Sequence, residues 1–254
     1  MKKIVLVAAM LLTFMGAKAQ TNIQEMYDFG RGHLTTTLEM FKGDNWGSTF
    51  FFVDIYHTNN IAPTDFYTEI ARTINFWGKN TSIGDNFVNN LSLHIEWNGG
   101  CGIFDNGYGT GWHGYPVNNA WLAGIEYFIA NNDFSQRLTL EVLYKNIRGT
   151  KVGFDKTANV PLQFTAVWGI DNLFGVRGLS FCGFADFWWE NNLWADGTET
   201  TTTFLTEPQL WYQLGRHFNC DNLNIGGEIE IAHNFSGADL GWTVRPCFGI
   251  KWGF

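Results

Sequence analysis

Charged residues are scarce in this chain of 254 residues: 16% are charged, and 24 acids outnumber 16 bases. The formal net charge of -8 leaves no basic stripe for phosphate groups, which excludes a nucleic-acid partner. Helical periodicity is almost absent, and no apolar run beyond the N-terminal segment approaches the ~20 residues of a membrane-spanning helix.

Cysteine is scarce as well. Cys101, Cys182, Cys220 and Cys247 lie far apart and include no CxxC pair. In the strand layout described below, no two of them lie opposite each other on neighbouring strands, which predicts free thiols.

The N-terminus has the parts of a secretion signal in the right order. Lys2 and Lys3 precede an apolar run over residues 4–15, and small residues follow at Ala17 and Ala19. This pattern predicts a signal peptide over residues 1–19 and a single domain over residues 20–254.

Aromatic residues, in contrast, make up 17% of the chain, and they take part in a recurring two-residue alternation. Leu223, Ile225, Ile229 and Ile231, for example, alternate with polar residues and glycine. Such alternation, interrupted by Gly, Asn and Asp, is typical of β-strands. It predicts twelve strands, over residues 22–30, 33–42, 46–58, 65–77, 86–98, 120–131, 136–148, 159–170, 179–190, 202–215, 223–235 and 241–254.

The connections between these segments alternate between short turns and longer loops, the longest being residues 99–119. Together with an even strand number and Trp or Tyr near strand ends, this pattern predicts an all-β fold, a transmembrane antiparallel up-and-down β-barrel of 12 strands. We therefore expect a place in the outer membrane of a diderm bacterium, in contact with its lipid. A soluble β-sandwich would also alternate but does not call for aromatic strand ends. The phase of the first strand stays open, and Arg72 sits out of phase, which suggests a bulge or a register error.

If the apolar face contacts lipid, the other face surrounds a lumen. Its charged residues are eleven acids against four bases, with one histidine: Glu39, Asp54, Glu69, Glu96, Glu126, Glu141, Asp186, Glu190, Glu207, Glu228 and Glu230, against Arg137, Lys145, Arg245 and Lys251, with His94. This excess favours neutral or cationic solutes. A narrow water-filled pore and a packed polar plug both remain open.

Aromatic side chains share the same predicted inward face. They are Trp46, Phe50, Phe52, Tyr56, Phe184, Trp188 and Trp211. Either these rings stack on a planar solute, or they pack against one another and narrow the lumen.

Common catalytic and cofactor-binding motifs are absent from the sequence. There is no GxSxG, no HExxH, no phosphate-binding Gly-Lys-Ser/Thr and no cysteine and histidine group with zinc spacing. We therefore predict no catalytic residue, no metal site and no cofactor. Scattered histidines leave a barrel-embedded hydrolase as the least favoured alternative.

Two stretches carry a resemblance to a known family. "TLEMFKGDNWGSTFFFVDIY" resembles the second and third strands of the nucleoside-specific outer-membrane channels typified by Tsx, and "GIDNLFGVRGLSFCGFADFWWENN" is similar to their eighth turn and ninth strand. The resemblance implies a monomeric barrel that passes nucleosides by diffusion between aromatic clamps, with lumen positions at Glu39, Trp46, Phe50, Phe52 and Asp54.

The sequence thus predicts an outer-membrane diffusion channel for nucleosides or similar small planar solutes. The alternative is an occluded structural barrel, an accessory subunit of a surface complex. In either case we expect Phe254 to serve as the signal that the barrel-assembly machinery recognises during biogenesis.

Overall fold

The computed structural model describes residues 20–58, 63–75, 87–105, 111–148, 160–235 and 239–254. The predicted signal peptide lies outside the described residues. The strands are β1 (Gln20–Asp28), β2 (His33–Asp44), β3 (Gly47–His57), β4 (Asp65–Ile74), β5 (Leu91–Asp105), β6 (Trp112–Ala130), β7 (Gln136–Arg148), β8 (Leu162–Asp171), β9 (Leu179–Leu193), β10 (Glu199–Thr206), β11 (Gln209–Tyr212), β12 (Leu223–His233) and β13 (Trp242–Gly253). Three short 3-10 helices cover Phe87–Asn90, Leu173–Gly175 and Leu214–His217.

These strands form one closed antiparallel sheet. From β1 to β9 each strand pairs with the next in the chain, and β13 pairs with both β12 and β1, so that the sheet has no free edge among the described strands. β10 and β11 both lie between β9 and β12 and are two segments of one strand. The predicted fold class, a 12-stranded up-and-down β-barrel, is therefore confirmed.

The strands are strongly tilted. Followed once around the barrel, the registers return to β1 displaced by about 16 residues, which corresponds to a tilt of roughly 45°. Side chains that lie at one height in the lumen therefore come from distant positions in the sequence.

The two faces of the barrel differ as the alternation predicts. On β13, Trp242, Val244, Phe248 and Ile250 are exposed on the outer face, whereas the residues between them are half-buried in the interior. The first strand, whose phase the sequence left open, turns Gln24, Met26 and Asp28 inward, where they are buried. An apolar exterior around a polar interior is the arrangement of a transmembrane barrel.

Among the described residues, no helix combines the length and the apolar content that a membrane crossing requires. All four cysteines are free thiols, as predicted.

The tenth strand of the barrel is interrupted at Glu207 and Pro208. The Glu207 N–H still donates to the Phe184 carbonyl at 3.1 Å, but proline has no N–H to continue the ladder. Gly183 lies beside this break with φ 148°, and a Cβ there would lie 2.3 Å from the Glu207 carbonyl oxygen. Glycine is needed at this position because any other side chain would push the two strands apart.

The predicted long loop over residues 99–119 is wrong. β5 continues to Asp105 and β6 begins at Trp112, so most of this stretch forms a paired hairpin with a register shift after Asn98. The glycines that suggested a loop allow close strand contact instead: a Cβ on Gly100 would lie 2.0 Å from the Phe66 carbonyl oxygen. The contrast of turn lengths is also weaker than predicted, since residues 194–198 join β9 to β10 in a short turn.

Arg72 is neither in a bulge nor out of register. β4 pairs without interruption with β3 and β5, and Arg72 points to the outer face. Its guanidinium donates to both carboxylate oxygens of Asp44, at 2.7 and 3.0 Å, and to Thr49 Oγ1 at 3.0 Å. The charge is tolerated on this face because Asp44 lies at the end of β2 and pairs with it.

Candidate functional site

Fifteen of the sixteen residues predicted for the lumen lie on the inward face of the barrel. They are Glu39, Phe50, Phe52, Asp54, His94, Glu96, Glu126, Asp186, Trp188, Glu207, Trp211, Glu228, Glu230, Arg245 and Lys251. The strand registers place fourteen of them on the face whose side chains are mostly buried or half-buried, and Glu207, between β10 and β11, follows the same alternation. Their role in lining a channel or binding a solute stays a prediction.

Trp46 is the exception. β2 continues to Asp44 and β3 begins at Gly47, so Trp46 lies in the turn between them and is 51% exposed. The backbone N–H of Trp46 donates to the Asp44 carboxylate at 2.8 Å, and this hydrogen bond stabilises the turn. The predicted lumen position of Trp46 is therefore wrong, because the strand pair turns two residues later than the alternation suggested.

Inward carboxylates from opposite walls interact across the lumen. Glu69 on β4 and Asp186 on β9 are five strands apart around the sheet, yet they are close enough to interact electrostatically. Asp54 on β3 and Glu207, between β10 and β11, are equally far apart around the sheet and also come this close. The described interior is therefore narrow at these levels, and acidic side chains converge on its centre.

Two inward lysines lie over two inward tryptophans. Lys145 Nζ is 4.0 Å from the centre of the Trp188 ring, and Lys251 Nζ is 4.0 Å from the centre of the Trp211 ring. In each pair one strand separates the two residues. These cation–π contacts cover one face of each indole, so that face is not open to a planar solute while the lysine stays in place.

Each of these tryptophans is also held at its edge. Trp188 Nε1 donates to Glu190 at 2.8 Å, and Trp211 Nε1 donates to Gln209 at 2.9 Å. Both indoles are almost fully buried. The sequence pattern identified the rings as inward-facing, but it contained no signal for their lysine partners, which come from two strands away.

A second group of rings has no lysine over it among the residues that the structure describes. Phe50, Phe52 and Tyr67 follow one another across β3 and β4, with 6.0 Å between the centroids of Phe50 and Phe52 and 6.0 Å between those of Phe52 and Tyr67. The Tyr67 hydroxyl donates to Glu69 at 2.7 Å. Sequence reasoning missed Tyr67, although it belongs to the inward phase of β4.

Arginines line one mouth of the barrel. Arg31, in the turn between β1 and β2, donates to Asp28 and to Glu230, each at 2.7 Å. Arg245 pairs with the same Glu230 at 3.2 Å and with Asp239 at 3.1 Å. Arg31 was not predicted as an interior residue because it lies in a turn, where side chains do not alternate between two faces of a sheet.

One part of the inner wall is apolar. Ala120, Leu122, Leu143 and Ile147, on β6 and β7, form a buried cluster. Leu143 and Ile147 occupy inward positions that the alternation would assign to polar residues, so the sequence pattern missed them. These apolar side chains occupy a part of the lumen that water would otherwise fill.

Histidine and glutamate side chains from three adjacent strands meet in the interior. His94 Nε2 lies 3.0 Å from Glu96, and His94 Nδ1 lies 3.2 Å from Glu126 and 3.7 Å from Glu141. The two short contacts hold both ring nitrogens of His94 against carboxyl oxygens. The sequence placed all four of these residues on the inward face, but their convergence depends on the pairing of β5, β6 and β7.

The fold and the interior together define a transmembrane β-barrel whose narrow lumen is lined by acids, aromatic rings and a few bases. The model of the family DUF5020, described as a domain of unknown function, matches residues 19–254, and the chain belongs to this family. No curated protein matches the sequence.

Among solved structures, the chain is similar to the crystal structure of Acinetobacter baumannii OccAB2. The sequences are 13% identical, the TM-score is 0.38, and the match covers 92% of this chain. The chain spans 59% of the length of that structure.

Proposed function

We propose that this protein is a passive diffusion channel of the bacterial outer membrane that prefers cationic or neutral solutes. The observation that carries the proposal is the convergence of inward carboxylates from opposite walls, as in the pair of Glu69 and Asp186. A ring of acids raises the local concentration of cations and repels anions. The barrel closes within one chain through β1 and β13, which supports a monomer.

The outer-membrane location is supported by the apolar outer face of the strands. Exposed Ile, Phe, Val and Trp side chains alternate there with the polar interior. Lipid is the partner that such a face requires. The signal peptide over residues 1–19 and the assembly signal at Phe254 stay predictions consistent with export to this membrane.

For the solute, we propose nucleosides or similar small planar molecules. Support comes from the ring series Phe50, Phe52 and Tyr67, which offers aromatic faces next to the carboxylate of Glu69. Stacking on such rings contributes about 1–3 kcal/mol per base. Trp188 and Trp211 take part only when their lysines move aside.

The test is single-channel recording of refolded protein in a planar bilayer, with a salt gradient and with adenosine or thymidine added. We expect discrete conductance steps, a reversal potential that indicates cation preference, and partial block by the nucleosides. If nucleosides leave the conductance unchanged, the protein is a channel but nucleosides are not its solute.

An occluded structural barrel is the second candidate. It is favoured by the buried apolar cluster of Ala120, Leu122, Leu143 and Ile147 and by the lysine contacts that fill the lumen. A folded barrel without any conductance would establish this alternative over the channel. Heat-modifiable migration on gels checks that the protein in the bilayer experiment is folded.

A further inference from the structure

We propose that His94, Glu96 and Glu141 bind a divalent metal cation inside the barrel, with Glu126 beside it. One ligand atom from each of the three residues lies within 4.8 Å of the others. That spacing lets a single ion contact all three after small side-chain adjustments, because metal–ligand bonds to nitrogen and oxygen measure about 2.0–2.2 Å. The strands that carry them are adjacent, so the site rests on a rigid wall.

Acidic side chains crowd around the imidazole of His94. Glu126 and Glu141 lie directly opposite each other on β6 and β7. With Glu96 they place three carboxyl groups around one imidazole. Oxygen atoms of these groups and an imidazole nitrogen form a ligand set that a divalent cation can bind.

The inward lysine Lys145 is held by other partners. Lys145 attracts Glu96, but its ammonium donates to Gln163 at 2.7 Å and rests 4.0 Å over the Trp188 ring. It is therefore held towards β8 and β9, away from the three glutamates around His94.

An independent observation comes from Asn98, the next inward residue after Glu96 on β5. Asn98 is 5% exposed, and within the described part of the chain its Oδ1 has no hydrogen-bond partner. Asn98 and its register partner Glu69 on β4 lie on the same inward face as Glu96. The unpartnered oxygen of Asn98 thus adds a buried acceptor to the wall that carries Glu96, and a cation bound there would give it a partner.

The donor set indicates the class of metal. One imidazole nitrogen with carboxylate oxygens suits first-row divalent ions such as Zn²⁺, Mn²⁺ or Co²⁺ better than Ca²⁺, which takes oxygen ligands. Sequence spacing could not indicate this site, because its residues are distributed over three strands and follow no zinc motif.

The experiment measures metal binding by the refolded full-length protein in detergent micelles, using Zn²⁺, Mn²⁺ and Co²⁺ as probes in calorimetry and in metal analysis after dialysis. We expect one saturable ion per barrel. Glu96→Gln and Glu141→Gln should each weaken binding at least about tenfold. The visible absorption of bound Co²⁺ should differ between the wild-type protein and His94→Gln, because the variant lacks the nitrogen ligand.

Glu228→Gln is the matched control. Glu228 is an inward glutamate on the opposite wall, and it accepts a hydrogen bond from the Gln209 side chain at 2.9 Å. Its substitution should leave metal affinity unchanged. The proposal is overturned if folded wild-type protein takes up none of the three ions, or if the cluster variants bind as tightly as the control. Metal binding is measured without a bilayer and does not depend on conductance. A negative result for metal binding therefore leaves the channel proposal untouched.

Discussion

Lys145 and Trp188 face each other inside the barrel, with the lysine Nζ 4.0 Å from the centre of the indole ring. They lie on β7 and β9, and the side chain of Gln163 on the intervening β8 accepts a hydrogen bond from the same ammonium at 2.7 Å. The contact places a positive charge in a lumen that is otherwise rich in acids, and it covers one face of an inward aromatic ring. The first prediction follows from this arrangement.

Lys145→Gln should increase the preference of the channel for cations. Removing the ammonium makes the lumen more negative and leaves Asp186 and Glu190 with less opposing charge. The reversal potential under a potassium chloride gradient should shift towards the potassium equilibrium potential. Lys42→Gln is the control, since it loses the same charge from the outward face of β2, opposite Thr49; an equal shift there would mean that surface charge, not the lumen, sets the selectivity.

Neutralising carboxylates that meet across the lumen should have the opposite effect. The double variant Glu69→Gln and Asp186→Asn removes two acidic groups that approach each other from opposite walls, so the preference for cations should fall. The same reversal-potential measurement checks it. Glu199→Gln, which removes an exposed carboxylate at the start of β10, should behave as wild type. Unchanged selectivity in the double variant would contradict a role of these acids in permeation.

Phe52→Ala should abolish most of the block by nucleosides. The Phe52 ring lies between Phe50 and Tyr67 and offers the central stacking surface of that series. Loss of one stacking ring corresponds to about 1–3 kcal/mol, which is a roughly 5- to 150-fold increase in the blocking concentration. Phe51→Ala is the matched control, because Phe51 is adjacent to Phe52 in the chain but lies on the outward face of β3. Equal block in both variants would exclude Phe52 from solute binding.

Gly183→Ala should destabilise the barrel at the break in its tenth strand. Gly183 has φ 148°, and an added Cβ would lie 2.3 Å from the Glu207 carbonyl oxygen. We expect a loss of roughly 1–3 kcal/mol in the free energy of unfolding, measured by urea titration of the heat-modifiable form. Gly43→Ala should cost much less, since the nearest atom to its Cβ is 4.0 Å away. If both variants unfold at the same urea concentration, the close approach at Gly183 is not needed.

Alternation alone was enough to predict the strands and their faces, because in a β-strand every second side chain points the same way. It placed Arg245 and Lys251 inward and Trp242 and Trp252 outward, as the structure has them. It failed where the chain turns, at Trp46 and Arg31, and where glycine-rich segments pair as strands, as in the hairpin over residues 99–119. Composition does not distinguish a glycine that bends a loop from one that allows close strand contact.

The residue pattern alone therefore predicts a barrel with an apolar exterior and an acidic, aromatic interior. The tertiary structure decided which interior residues meet: Lys145 with Trp188, Glu69 with Asp186, and His94 with Glu126 and Glu141. The physical reason is that a two-residue period specifies the face of each side chain but not its height in the lumen. Height depends on the register of every strand pair and on the tilt that closes the sheet.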